Sequence, residues 1–287
     1  MGEPRASAPV VLRIVLGGRL RALRESAKVT REQAAKIIDV TPLTIRRLEN
    51  AEVRLKIPYV DLLLRAYNVD GGSVDEFLDL AKQANEPGWW NRYRDVLPDW
   101  FSAYVSLEDA ASLIRAYEPH YAPGLLQTKE YARTILSAGL TKGSADELER
   151  RVDLRLKRQE LLTTSEAPAL WVVLEEAVLQ RPVGGTAVMR GQLERLLESL
   201  DMPNISLQIL PFSIGPHLGA YGPFSLFRFE SGELGDVVYT EGLTDASYQD
   251  EPLDVAAHLE ALDHMSTQAS TVDETRKILE KALKEHI

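Results

Sequence analysis

Arg46 and Arg47 stand between Ile45 and Leu48. On a helix that spacing turns the apolar pair inward and leaves both guanidiniums at the surface, where arginine can fork onto guanine O6 and N7 in a major groove. Leu43 is placed to meet a thymine methyl. Thr41, Thr44 and Arg31 fall near helix N-termini, where hydroxyl, guanidinium and backbone donors meet phosphate. Arg54 and Lys56 extend a phosphate track. Together these residues read as a surface for duplex DNA. The plainer alternative is a packing module whose arginines form a solvated face.

Other chemistries find little footing. The chain has no cysteine, which excludes disulfide frameworks, thiolate zinc sites, iron–sulfur clusters and cysteine nucleophiles, and fits a reducing compartment. No two of His120, His217, His258, His264 and His286 stand at the i, i+4 spacing of a helical zinc pair. There is no Gly-x-Ser-x-Gly elbow, and Glu175-Glu176 and Asp250-Glu251 read as solvated faces or caps rather than as an acid and base. No catalytic residue, metal or cofactor is expected. His217, between Pro216 and a glycine-rich loop, is the best candidate for contact with a ligand, set against the simpler reading of a surface loop histidine.

The elements that must carry the arginines are legible from caps and periodicity. Leu12, Leu16, Leu20 and Leu23 form the stripe of an amphipathic first helix. Thr30-Arg31-Glu32-Gln33 is a capping box that opens a second, ending near Asp39. Thr41-Pro42 opens a third, since a threonine cap with proline at the first helical position gives up no hydrogen bond. A fourth helix over Tyr59–Tyr67 and a fifth capped by Ser73-Val74-Asp75-Glu76 complete a bundle, and Asn85-Glu86-Pro87-Gly88 breaks the pattern. Small Ala34-Ala35 and the tight connection between the second and third helices match helix-turn-helix geometry.

Beyond the break the pattern is mixed. Ser106-Leu107-Glu108-Asp109 and Ser144-Ala145-Asp146-Glu147 predict helices reaching roughly Tyr117 and Thr163. Residues 170–174, 205–210, 224–229 and 237–239 read as strands, the second and third alternating apolar and polar. Helical patterns over Val188–Leu200, Leu253–Ser266 and Asp273–His286 surround them. The fold expected is mainly α with an α+β part: a five-helix helix-turn-helix domain over 1–84, then a larger α+β domain over 85–287 with a small sheet. The aromatic segment Trp89–Phe101 suits core packing better than base stacking.

Charge divides the same way. Residues 1–70 hold 13 Lys and Arg against 8 Asp and Glu, a net of +5, and the remainder nets −15. The overall −10 therefore says little about what the first part binds. The apolar run from Val10 to Leu16 is too short to span a bilayer and is interrupted by Arg13. A cytoplasmic, nucleoid-associated protein without membrane contact is expected.

Residues 12–70 resemble the Xre/Cro-type DNA-binding domain, with Thr30–Ala35 opening the second helix and Val40–Asn50 as the recognition helix. Asp39 stands where that family's turn has glycine, and Ala51 follows Glu49-Asn50 where glycine is common. Aspartate tolerates the left-handed conformation moderately well and alanine poorly. The run Tyr117–Ala132, with its Pro-Gly-Leu-Leu-Gln-Thr core, carries a second resemblance, together with Pro182–Gly185, Met189–Leu193, Leu210–Phe212, Gly222–Phe224 and Val237–Glu241. These residues resemble the WhiJ-like, antitoxin-like transcriptional regulators of actinobacteria. That resemblance implies an N-terminal DNA-binding domain and a C-terminal regulatory domain. It also implies a small protein partner encoded by a neighbouring gene, and a role in development or antibiotic production.

Read physically, Pro123-Gly124 is a turn delivering Leu125 and Leu126 into a core, with Thr128 capping the next helix. This turn and the Gly222-Pro223-Phe224 loop are either plain structure or the rims of a groove, for which Tyr117, Gln127, His217 and Tyr221 are the candidate ligand or partner contacts. The expected function is a dimeric regulator of transcription that binds an inverted-repeat operator in double-stranded DNA and receives a ligand or protein signal through its acidic domain. The alternative is an antitoxin that masks a small basic partner and controls its own operon, to which a −15 domain is electrostatically suited.

Overall fold

The structure is a computed structural model that describes residues 9–51, 53–86, 88–97, 101–139, 143–230, 235–242 and 246–285. Pro87, Pro98-Asp99-Trp100 and His286 of the readings above lie outside these. The chain divides into two compact units, one running through Asn91 and including Val105–Ala110, the other holding Arg92–Tyr104 and Ala111–Ile287.

Among its described residues the first unit holds α1 (Pro9–Ser26), α2 (Arg31–Ile37), α3 (Pro42–Glu49), α4 (Ile57–Ala66) and α5 (Gly71–Ala84). The predicted stripe is the core: Leu12, Leu16 and Leu20 of α1 are buried with Ala34 and Ala35 of α2, Ile45 and Leu48 of α3, and Leu63 and Leu64 of α4. Each such leucine contributes about 1.5–3 kcal/mol by leaving water. The α2 box forms in both directions, with Gln33 N–H donating to the Thr30 hydroxyl and Thr30 N–H donating to Gln33 Oε1 at 2.8 Å. One cap falls elsewhere than expected. Asp70, not Ser73, caps α5, accepting the Ser73 N–H at 3.1 Å. Gly71-Gly72 reads as a break, and so hid the helix start behind it.

The turns on either side of α3 keep the left-handed geometry that glycine usually supplies, at Asp39 (φ 52°) and Ala51 (φ 57°). Alanine there costs about 1–2 kcal/mol. Gly17 has a different reason for its lack of side chain. A Cβ at this position would lie 2.6 Å from the Glu49 carbonyl oxygen and 2.9 Å from that of Leu48, so α1 and the end of α3 meet backbone to backbone. A Cβ at Gly18 would meet nothing within 4 Å. Gly17→Ala is therefore expected to destabilise the unit by about 1–3 kcal/mol, while Gly18→Ala stabilises it by up to about 1 kcal/mol. Chemical denaturation of the two variants checks this, and equal midpoints would contradict the close approach.

The expected helix from Ser106 to Tyr117 is not formed. Helix α6 (Phe101–Ala110) begins earlier, with Ser106 buried inside it, and strand β1 (Leu113–Glu118) follows. Strand β1 is covered on both faces, and a strand of that kind lacks the alternation that marks one in a sequence. It is also the strand on which the sheet is built. The sheet has six strands in the order β3-β2-β1-β4-β5-β6. The others are β2 (Ala169–Glu175), β3 (Ile205–Leu210), β4 (Phe224–Arg228), β5 (Val237–Glu241) and β6 (Ala246–Gln249). Strands β1, β2 and β3 are parallel, with Glu118 opposite Leu174, and β4 joins β1 antiparallel with Phe224 opposite Tyr117. The four expected strands are present, and β1 and β6 enlarge the sheet beyond the small one foreseen.

Helices cover both faces. Tyr117, Val173, Leu226 and Val238 pack with Val255, Leu262 and Met265 of α11 (Pro252–Gln268). On the other face α8 (Ala145–Gln159) brings Arg155 and Arg158 towards Glu118, the residue after Tyr117 in β1; α8 and α7 (Lys129–Gly139), which packs on it, belong to the crossover from β1 to β2, while α9 (Glu176–Gln180) and α10 (Thr186–Ser199) lead on to β3. The chain closes on α12 (Val272–Glu285). Thr128 caps α7 and Ser144 caps α8 as expected, and Leu125 and Leu126 are buried.

Candidate nucleic-acid interface and a cavity in the second unit

Helix α3 is fixed at its start by Thr41, whose hydroxyl accepts the Thr44 N–H and lies 3.1 Å from the Thr44 hydroxyl, with Pro42 at the first turn. Ile45 and Leu48 are 0% and 1% exposed. The opposite side presents Leu43 at 45% exposure, together with exposed Arg46, Arg47 and Asn50. Those four stand at i, i+3, i+4 and i+7, one face of the helix. Asn50 escaped the sequence reading, although its spacing from Leu43 signals it, and its amide is of the type that pairs with adenine.

A buried ionic clasp holds this helix. Glu49 at the end of α3 is 4% exposed and accepts from Arg24 of α1 through Nε and Nη2, and from Arg31 Nε at 2.9 Å. Arg24 also donates to the Val29 carbonyl and to Glu25. The hydrogen bond with Glu49 holds the Arg24 guanidinium above its ordinary value against the opposing effect of burial. The Tyr67 hydroxyl is pushed up to about 12 by burial, with the Glu49 charge acting the same way. Arg31 therefore sits with its Nε on Glu49 while its side chain remains 36% exposed.

Arg54 and Lys56 are exposed, and the Lys56 ammonium lies 5.0 Å over the Tyr59 ring. They have a neighbour that periodicity concealed. Arg13 of α1 is close enough to Arg54 for that charge to lower its pKa, after burial, and its Nε has no hydrogen-bond partner. Two cations from distant parts of the chain thus converge, an arrangement suited to an anion.

In the second unit Tyr117 and His217 come together on Glu175. The Tyr117 hydroxyl donates to Glu175 Oε1 at 2.7 Å, and His217 Nε2 lies 3.0 Å from the same oxygen. Glu175 is buried, which corrects its reading as a solvated face, and Glu176 accepts the Phe212 N–H at 3.0 Å. The His217 side chain is only 10% exposed and its Nδ1 has no partner, so it is not a surface histidine. Gly219 explains the burial, since a Cβ there would lie 2.5 Å from the Tyr117 ring. Burial, then the bond to Glu175, raise the Tyr117 pKa. Tyr221 is 95% exposed.

Gln127 belongs to a different place, on the sheet face away from α11. It is buried, donates to the Ala122 carbonyl at 2.7 Å, and accepts from Arg155 Nη1 at 2.8 Å. It lines a cavity of about 570 Å³ whose walls include Gly124, Pro223 and Phe224. The turn and the loop read in the sequence as possible rims thus meet at one opening. Among the described residues no group of three or more His, Asp and Glu is arranged to hold a metal ion, and no helix is long and apolar enough to cross a membrane.

Residues 15–77 match a helix-turn-helix domain family, and residues 101–281 match a domain of unknown function, DUF5753. No match was found among curated proteins or solved structures. A helix-turn-helix domain points to a DNA-binding regulator rather than an enzyme. With that domain ahead of it and the longer match spanning most of the chain, this protein belongs to the DUF5753 family.

Proposed function

We propose that this chain is a sequence-specific transcription regulator that reads duplex DNA through α3 as a homodimer on an inverted repeat, and whose second unit senses a ligand or a small protein partner. The observation that carries it is the division of α3 into a buried Ile45–Leu48 side and an exposed face of Leu43, Arg46, Arg47 and Asn50. In this reading Arg46 and Arg47 contact guanine and Leu43 a thymine methyl. Thr41, Thr44 and the α3 N-terminus meet phosphate, as do Arg31, Arg54, Lys56 and Arg13. One unit of this size covers too little DNA for tight specific binding, which favours two copies on half-sites about one helical turn apart. The resemblance to WhiJ-like regulators supports the same reading.

Titration of a selected DNA site across a range of salt tests it. Two chains should bind per site, and Arg54→Ala and Lys56→Ala should weaken all sequences alike while each reduces the salt slope by about one. One chain per site would contradict the dimer, and unchanged slopes would contradict the phosphate track.

A further inference from the structure

The carboxyl end of β1 opens into the cavity of about 570 Å³, and the side chains around it divide by chemistry. Aromatic rings form one part. Phe101 and Tyr104 stack at 5.1 Å, and Tyr104 meets Tyr239 at 4.6 Å. The cations of α8 are already engaged by the protein: Arg155 donates to Gln127, while Arg158, 5% exposed, lies 5.0 Å over Phe101 and 5.1 Å over Tyr104. Two carboxyls remain. Glu241 accepts from the Tyr239 hydroxyl at 2.8 Å. No donor among the described residues is hydrogen-bonded to the carboxyl of Glu118, the last residue of β1.

We propose that this cavity binds a small organic cation, a protonated amine on an aromatic-sized apolar body, with Glu118 as its counter-ion and the Tyr104 and Tyr239 rings as its walls. Aromatic faces attract an ammonium, and the half-buried Glu118 carboxyl, without a hydrogen-bond donor of its own among the described residues, offers it a counter-charge. The apolar body takes the remaining volume against Phe101. An anion gains little here, because both guanidiniums already have protein partners and the Glu241 carboxyl faces the same space.

The electrostatics agree. Burial pushes the Glu118 carboxyl up to about 8, with Glu241 acting the same way and Arg155 and Arg158 opposing. Tyr131 also feels the Glu118 charge, and His120 lies on the cavity wall. Near neutral pH the acid holds its proton, and an arriving ammonium replaces that proton, which leaves to solvent. The inference rests on the reading of the second unit as a sensor and names the class of molecule sensed.

Calorimetry on the full chain, without DNA, tests the site with tryptamine and phenethylamine as probes and phenylacetate and 2-phenylethanol as controls. The amines should bind at least tenfold more tightly than either control. Glu118→Gln should weaken the amines at least tenfold without moving the melting temperature of the free protein. In the unmodified chain at pH 7, buffers of different ionisation enthalpy should reveal about one proton released per amine bound. No amine binding, phenylacetate binding as tightly as the amines, binding that Glu118→Gln leaves intact, or heats independent of buffer would each overturn the proposal. DNA affinity measured with and without bound tryptamine separates the two readings. Binding that leaves DNA affinity unchanged keeps the cation site and removes the sensing role.

Discussion

Glu49→Ala is expected to destabilise the first unit by about 3 kcal/mol. The carboxylate is 4% exposed and joins Arg24 of α1 to Arg31 of α2 from the end of α3, so its loss leaves the 7% exposed Arg24 side chain without its main counter-charge. The cost falls at the lower end of the range for a broken buried pair, because Arg24 keeps Glu25 and the Val29 carbonyl. Hydrogen exchange of α1–α3 peptides in the full chain measures it. The paired variant Arg24→Met with Glu49→Leu should recover most of the loss, since apolar residues of similar volume carry no desolvation penalty. Equal exchange in Glu49→Ala and the unmodified chain would show that the clasp does not hold the helix.

Replacing Arg46 and Arg47 should produce the opposite pattern: stability unchanged and DNA recognition lost. Both residues are exposed on a helix whose inner face is already buried, so neither truncation opens a cavity. Arg46→Ala and Arg47→Ala should each cost about 1–3 kcal/mol on a specific site and relax base preference at the position read. Competition binding against single-base variants of the site separates this from a phosphate contact, whose removal weakens every sequence equally. Unchanged affinity and preference in both variants would remove α3 as the reading element.

How much of this is visible without coordinates depends on the range of the interaction. Thr30 and Thr41 announce their helices because a cap and its partner lie three residues apart, and the Leu12–Leu16–Leu20 stripe is a local period. The clasp is not local, since Arg24 and Glu49 stand 25 residues apart and a lone glutamate after two arginines looks like surface charge. Arg13 beside Arg54 and Glu175 between Tyr117 and His217 were concealed for the same reason. Strand β1 escaped because it is buried on both faces, and its apolar run continues a helix-like one. The rims of the cavity could be read from the glycine and proline signals at Gly124 and Gly222-Pro223, whereas the carboxyl they surround, Glu118, carries no signature of its own.

The central claim is that α3 selects particular DNA sequences. Immunoprecipitation of the protein from its host, mapped across the genome beside an Arg46→Ala, Arg47→Ala double variant, tests it most directly. A few sharp sites that share an inverted repeat are expected in the unmodified protein and none of them in the variant. Diffuse recovery of DNA, or the same sites in both proteins, would contradict it.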